Sequence, residues 1–211
     1  MIDLQLVKTT FGAPDERVAA SLFMKRYPLL QDVVQRLIGS GEQLPIALEE
    51  YELTLTKKAI ELTPKTKPKP REQKTYLTAV VTEHMIPLII ELQSHISSHV
   101  LISHAMYPLF EMYYCQKLDT VAEKEALHEA IKLIQDVFAT HGYESAKTFE
   151  VNLITHPLTS KRVLLRNVCC LAYLVKGSHC RVCPKLSETE REKLLKTPKR
   201  NKRKECNVVS R

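Results

Sequence analysis

The sequence predicts a mainly helical α+β fold with a small antiparallel β element and a C-terminal cysteine-rich loop. Apolar residues recur at the three- and four-residue spacing of helices over most of the chain, whereas residues 51–62 alternate as strands do. Four of the six cysteines fall between positions 169 and 183. With 211 residues, 44% of them hydrophobic, the chain can bury a core without disulfides.

Two helices are predicted close to the N-terminus, at 15–26 and 28–38. In both segments the apolar side chains fall on one face of the helix. Pro28 separates the helices because it lacks an amide N–H and fits only the first turn of a helix. Gly39 and Gly41 are expected to end the second helix.

A β-hairpin is predicted next. Tyr51, Leu53 and Leu55 alternate with polar residues, and a return strand at 59–62 would complete the pair. The segment that follows, 64–72, contains three prolines and is predicted to be a solvated basic loop, because proline cannot donate to a strand ladder.

Dense apolar sequence predicts two core helices, at 73–98 and 103–118, with kinks or breaks at Pro87 and Pro108. The clearest helix is predicted at 121–140.

Capping signals mark two of the helix starts. Thr120 with Glu123 forms a capping box before 121–140, and Ser187 caps a short helix at 188–196. An extended segment, 148–168, is expected to lead into the cysteines. These elements predict one domain made of 1–63 and 73–186, followed by a short helix and a disordered basic tail at 187–211.

Charge is unevenly distributed along the chain. The net charge is +7, but residues 1–150 alone sum to −4. Residues 151–187 hold six basic side chains and no acidic one, and residues 196–211 sum to +6. Positive charge therefore gathers around the cysteines and in the tail, where it favours nonspecific attraction to anions but does not indicate a nucleic-acid site.

No targeting or membrane signal is recognised. The N-terminus has no basic region followed by an apolar run, and apolar stretches such as Met85 to Leu92 are too short to cross a bilayer. We therefore expect a cytoplasmic protein, at most peripheral to the inner membrane. In such a reducing compartment, clustered thiols usually indicate metal or redox chemistry.

The cysteine motif is Cys169-Cys170, nine residues, then Cys180-x-x-Cys183. A Cys-x-x-Cys turn lets two thiolates converge on one metal, and four thiolates suffice for a tetrahedral zinc or a [2Fe–2S] cluster. The adjacent pair favours the larger cluster because neighbouring side chains diverge. Spacing alone leaves zinc open, and His179 is a possible substitute ligand.

The two remaining cysteines are expected to play no part in this site. Cys115 lies in an apolar helix and is predicted to be a buried small hydrophobe. Cys206 is predicted to be a free thiol in the tail.

The motif resembles the C-terminal segment of the FhuF-like ferric-siderophore reductase family. The similarity includes Arg166 before the pair, Tyr173 after it, Gly177 in the loop and Pro184 after the last cysteine. It covers roughly 75–186, with a loop between the pairs one residue shorter than is usual in the family. The resemblance implies a [2Fe–2S] cluster held by Cys169, Cys170, Cys180 and Cys183.

The resemblance also implies an activity, the one-electron reduction of iron(III) held by a siderophore. No dinucleotide fingerprint is present, so electrons are expected from an external donor, such as a ferredoxin- or flavodoxin-type protein. The alternative is a non-enzymatic, zinc-stabilised four-cysteine module that binds a protein or nucleic acid through its basic tail. The predicted docking residues for substrate or donor are Lys161, Arg162, Arg166, Lys176, Arg181 and Lys185.

Overall fold

The computed structural model describes residues 2–115, 118, 120–149, 151–159 and 161–197. The fold is mainly helical α+β, as predicted, with two antiparallel sheets of two strands each among these residues. The predicted disordered tail beyond residue 197, including Cys206, lies outside the described residues.

The elements follow one another along the chain with short connections. The helices are α1 (Leu4–Phe11), α2 (Glu16–Arg26), α3 (Leu29–Ser40), α4 (Gln73–Ala79), α5 (Ile86–Leu92), α6 (Ser98–Cys115), α7 (Val121–Thr140), α8 (Tyr173–Lys176) and α9 (Glu188–Lys196). The strands are β1 (Tyr51–Leu55), β2 (Ile60–Pro64), β3 (Asn152–Thr155) and β4 (Arg162–Leu165).

The N-terminal region contains one helix more than was predicted. Asp3 caps α1 by accepting a hydrogen bond from the backbone of Leu6, and Asp15 caps α2 in the same way. Gly41 ends α3 with a φ of 69°, a left-handed conformation that glycine adopts without strain. The predictions for α2 and α3 are confirmed, and α1 was missed because it is short.

The predicted helix 73–98 ends earlier, at Leu92. It consists of α4, a π-helical turn at Val80–Met85 and α5, in which Pro87 occupies the first turn. Proline is tolerated there because the first-turn amides do not depend on bonds within the same helix. The chain turns at 93–97, and α6 then continues through Pro108.

The run Gln73–Leu92 is the one described segment long and apolar enough to cross a membrane, with a mean hydropathy of 1.2. Most of it is buried against the rest of the fold. Burial of this kind is typical of a core helix, so the run is not a clear membrane span.

Both sheets are hairpins. In the predicted one, β1 pairs with β2 so that Leu55 lies opposite Ile60. In the second, β3 pairs with β4, and Thr155 lies opposite Arg162. The sequence predicted the second hairpin only as an extended segment, because its strands are short and carry no clear alternation.

The second hairpin directs the chain into the cysteine-rich loop. Its inner strand is held against α6, since the hydroxyl of Tyr107 donates to the backbone carbonyl of Leu164 at 3.0 Å. Leu164 and Leu165 are both buried. The loop therefore starts from a fixed point on the core.

Tyr76, a fully buried residue of α4, bonds to the backbone of Leu44. The Tyr76 hydroxyl accepts from the Leu44 amide at 2.7 Å and donates to the Leu44 carbonyl at 3.0 Å. We expect Tyr76→Phe to lower the free energy of unfolding by about 1–3 kcal/mol, because both backbone groups lose their partner. Tyr113→Phe, at a half-buried ring on α6, is the control and should change it far less. Urea unfolding measures both values, and equal values would contradict this role of the hydroxyl.

Candidate metal centre

The four predicted cysteines lie together in the loop between β4 and α9. Backbone hydrogen bonds close this loop on itself: the Arg166 amide donates to the Val182 carbonyl at 3.1 Å, and the Cys183 amide donates to the Cys180 carbonyl at 3.0 Å. The short helix α8 occupies the space between the two cysteine pairs, and Gly177 ends it with a φ of 69°. The sequence therefore folds each pair back toward the other.

The turn after the first pair is strained. Leu171 has a φ of 56°, a left-handed conformation that costs a residue with a side chain about 1–2 kcal/mol. This turn also lets the Leu171 amide donate a hydrogen bond to the Cys169 sulfur. Backbone amides directed at cysteine sulfurs are one of the features that tune iron–sulfur sites.

The thiols associate across the motif. The Cys169 and Cys183 sulfurs are 3.7 Å apart, and the Cys180 thiol donates a hydrogen bond to Cys170. Two thiolates on one tetrahedral metal, with metal–sulfur bonds of about 2.3 Å, stand about 3.8 Å apart. The Cys169–Cys183 separation is therefore already that of two ligands on a single ion.

The arrangement is two and two. Among the residues that the structure describes, no group of three or more His, Cys, Asp or Glu side chains is placed to hold one metal ion. The prediction that all four cysteines bind one cofactor stays a prediction. Cys170 and Cys183 are buried, while Cys169 and Cys180 are half-buried, so the site lies just under the surface.

A lysine from the N-terminal half of the chain reaches this site. Lys25, in the last turn of α2, donates from Nζ to the Cys170 sulfur at 2.9 Å. Sequence reasoning missed this residue. A basic residue at a helix C-terminus is common because it complements the helix dipole, so Lys25 carries no local signal of a role 145 positions away.

Two arginines add positive charge on the same side. The Arg166 guanidinium carbon lies 4.4 Å from the centre of the Tyr107 ring, and that of Arg26 lies 3.9 Å from the centre of the Phe11 ring. Within the described residues, the buried Nη1 of Arg26 has no hydrogen-bond partner. The charges of Arg26 and Cys170 attract one another.

These contacts make Cys170 unusually acidic. The hydrogen bond from Cys180 and the nearby Lys25 ammonium lower the pKa of Cys170 to about 4. The pKa of Cys180, which holds the shared proton, is raised, and burial raises the pKa of Cys169. Cys170 is therefore a thiolate at neutral pH, the form in which cysteine binds metals.

A buried histidine lies behind the lysine. His104 on α6 is fully buried and is 3.1 Å from the hydroxyl of Ser21, which lies one helical turn before Lys25 on α2. Burial, followed by the positive charges of Arg166 and Lys25, keeps the pKa of His104 well below its usual value. His104 is therefore neutral, and its contact with Ser21 fixes α2 against α6.

His179, the possible substitute ligand, and His95 have separate positions. His179 Nδ1 is 3.5 Å from the Cys183 sulfur, and its ring packs on Tyr173. His95 pairs with Glu16 at 3.0 Å, away from the buried His104. His179 therefore borders the site, whereas His95 and His104 do not converge on a common point.

Helix α9 also contacts the cysteine-rich loop. Arg191 donates to the backbone carbonyls of Cys183 and Leu186, at 3.2 and 3.0 Å. Cys115, at the end of α6, is buried as predicted and lies outside the loop, but it is disulfide-bonded and is not simply a small hydrophobic residue.

The predicted docking residues differ in position. Arg162, Lys176 and Lys185 are exposed, and Lys185 also donates to the Tyr173 hydroxyl at 3.3 Å. Lys161 is half-buried. Their proposed role in docking stays a prediction.

The side chains of the remaining two docking candidates, Arg181 and Arg166, make contacts within the protein. Arg181 donates to the Thr197 carbonyl at the end of α9. Arg166 stacks on Tyr107 and is half-buried, and its positive charge helps to lower the pKa of Cys170.

Comparison with known proteins does not assign this chain to a class. No protein-family model, no curated protein and no solved structure matches it.

Proposed function

We propose that the four cysteines hold a [2Fe–2S] cluster, and that the protein passes single electrons to iron(III) held by a siderophore. The observation that carries the proposal is the two-and-two association of the thiols, Cys169 with Cys183 and Cys170 with Cys180. A tetrahedral zinc site needs four sulfurs around one point, whereas a two-iron cluster takes two sulfurs at each end.

The charges around the thiols fit the same cofactor. Four thiolates and two bridging sulfides around two iron(III) ions leave a formal charge of about −2. Lys25 and Arg166 both act on Cys170, and Arg26 presents an unpartnered buried nitrogen nearby. These side chains offset the negative charge that a cluster would bring.

The protein residues divide the work as follows. When bound, a [2Fe–2S] cluster accepts and releases one electron at a time. The half-buried Cys169 and Cys180 lie where a substrate or donor can approach, while the buried Cys170 and Cys183 anchor the site to the core. The exposed Arg162, Lys176 and Lys185 are the candidates for attracting anionic partners.

The electron balance is simple. An external donor of the ferredoxin or flavodoxin type is oxidised by one electron, and iron(III) in the chelate is reduced to iron(II). Siderophores hold iron(II) far more weakly than iron(III), so the reduced metal is released. The proposal places the protein in the cytoplasm, where a reducing environment keeps the four thiols available.

The test begins with protein purified without oxygen. We expect a red-brown protein with about two irons and two sulfides per chain. After chemical reduction and removal of excess reductant, it should reduce an iron(III)–hydroxamate complex, with the iron(II) product captured by a ferrous chelator. It should not oxidise NADH or NADPH above background.

Two outcomes contradict the proposal. A colourless protein with one zinc supports the alternative of a zinc-stabilised binding module. A protein that holds the cluster but leaves the ferric chelate unreduced would separate the cofactor from the proposed substrate.

A further inference from the structure

We infer that Lys25 is a positioning and tuning residue that raises the reduction potential of the cysteine-bound centre by donating a hydrogen bond from its half-buried ammonium to the Cys170 sulfur. The inference rests on the proposed function, since a potential belongs to a redox centre. It adds a residue from α2 to a site otherwise built from the C-terminal loop.

The Lys25 ammonium lies unusually close to the Cys170 sulfur. The Lys25 Nζ to Cys170 Sγ distance of 2.9 Å is short for a hydrogen bond to sulfur, and it joins two parts of the fold that are far apart in sequence. Cys170 and Cys183 share the lowest exposed fraction among the described cysteines, 3%. A charge that close to a buried sulfur is screened less by water than a surface charge would be.

The hydrogen-bond partner of the Lys25 ammonium is a cysteine sulfur and not a carboxylate. Among the described residues, no carboxylate lies within ion-pair distance of the Lys25 ammonium. The charged groups that act on it are the cation of Arg166 and the Cys170 sulfur, with the Cys180 thiol also close. The sulfur is therefore the partner that makes a half-buried ammonium tolerable at this position.

A positive charge at a ligand sulfur affects the reduction potential of the centre. Reduction adds one negative charge to the centre, and a cation or hydrogen bond at a ligand sulfur stabilises the reduced form more than the oxidised form. Lys25 acts on the Cys170–Cys180 pair, whereas Cys169 receives a neutral amide hydrogen bond from Leu171. Lys25 thus favours acceptance of the electron at the Cys170–Cys180 end of the site.

The surrounding packing supports a fixed position for the ammonium. Ser21, one turn earlier on α2, contacts the neutral His104 on α6, so the helix that carries Lys25 cannot easily shift. A side chain held in this way can tune a potential, whereas a mobile surface lysine would be averaged and screened.

The experiment compares reduction potentials in full-length variants. Lys25→Met removes charge and donor, Lys25→Gln removes the charge but keeps an N–H donor, and Lys25→Arg keeps both. Lys176→Met is the matched control, because it removes one positive charge from an exposed position in the same loop. Iron and sulfide content, the midpoint potential and the iron–sulfur stretching bands in resonance Raman spectra are measured for each.

We expect the cofactor content to be retained and the one-electron equilibrium of Lys25→Met to shift about tenfold toward the oxidised form, equivalent to 59 mV. Lys25→Gln should shift less, Lys25→Arg least, and Lys176→Met should stay close to the unmodified protein. The stretching bands should move in Lys25→Met and not in the control, since Lys25 bonds to a ligand sulfur and the exposed Lys176 does not.

The outcomes separate this inference from the proposed function. An unmodified protein without iron and sulfide overturns the proposed function. If that protein holds the cluster and every cluster-bearing Lys25 variant has an unchanged potential, the tuning role of Lys25 is overturned while the proposed function stands. If Lys25→Met and Lys25→Gln both lose the cofactor, Lys25 is needed for assembly, which also overturns the tuning role.

Discussion

Cys170→Ser is expected to yield a protein that folds but retains almost none of the iron and sulfide of the unmodified chain. The pKa of Cys170 is lowered, because its sulfur receives hydrogen bonds from both Cys180 and Lys25. A serine hydroxyl is not ionised at neutral pH and leaves the Lys25 ammonium beside a neutral oxygen. Loss of a direct ligand should exceed the 10–100-fold cost in metal affinity that is typical of changes around a metal site.

The comparison uses one variant for each cysteine. Cys169→Ser, Cys180→Ser and Cys183→Ser should also lose the visible absorption and most of the iron, because each removes a thiolate. Ser178→Ala is the control, since Ser178 is exposed in the same loop, between the two cysteine pairs. Circular dichroism checks that each chain is folded.

The result that would contradict this model is a Cys170→Ser protein with normal iron, sulfide and absorption. It would remove the adjacent pair from the ligand set. A normal Cys169→Ser protein would likewise contradict the role assigned to the Cys169–Cys183 pair.

The helices were predictable where local signals agree. The capping box of Thr120 and Glu123 precedes α7 as predicted, and that of Ser187 and Glu190 precedes α9. In each case the side chains bond to backbone groups within three residues, so the sequence alone contains the whole interaction. The β1–β2 hairpin was predictable for the same reason, because alternation is also a local property.

Features that depend on tertiary contacts were not predictable. The π turn before Pro87 keeps the chain helical where a kink or break was expected, because burial of both neighbouring segments outweighs the local cost of proline. The β3–β4 hairpin is fixed partly by the Tyr107 hydroxyl, which comes from a helix that ends some forty positions earlier in the chain. Neither the π turn nor the Tyr107 hydrogen bond leaves a periodic pattern in the sequence.

The candidate site also combines features that the sequence predicts with features that depend on tertiary contacts. The cysteines form a compact motif, so their proximity could be expected, and the structure brings their thiols together in pairs. The charges around them come from α2, and no pattern near Lys25 or Arg26 indicates that they face a sulfur. Arg166 was predicted as a docking residue from its charge, but its packing on Tyr107 could only be seen in the fold.

The rate at which a donor protein reduces the centre is expected to depend strongly on salt. Residues 151–187 hold six positive charges and no negative one, and a bound cluster of formal charge about −2 would leave roughly +4 on this region. Ferredoxin- and flavodoxin-type donors are usually acidic near their own cofactors. Opposite charges can speed encounter by 10- to about 1,000-fold at low salt.

Charge reversal on the exposed side chains tests whether this region receives the donor. The side chains of Arg162 and Lys176 are exposed and make no hydrogen bond within the described part of the chain, so Arg162→Glu with Lys176→Glu should leave the fold and the absorption spectrum unchanged. Lys57→Glu with Lys58→Glu is the matched control, because it changes the net charge equally in the exposed turn between β1 and β2. Stopped-flow reduction by an acidic donor gives the second-order rate constant for each protein.

At about 0.01 M salt, where the Debye length is about 30 Å, the Arg162 and Lys176 double variant should react about tenfold more slowly than the unmodified protein. The control should react at close to the unmodified rate, because its charges lie outside the cysteine loop. At about 1 M salt, where the Debye length is about 3 Å, the rates should converge, since screening removes steering but leaves the electron-transfer step itself unchanged. If both double variants slow equally, overall net charge rather than a docking surface controls the encounter. If the rate ignores both salt and charge reversal, Arg162 and Lys176 form only a solvated surface and the donor approaches elsewhere.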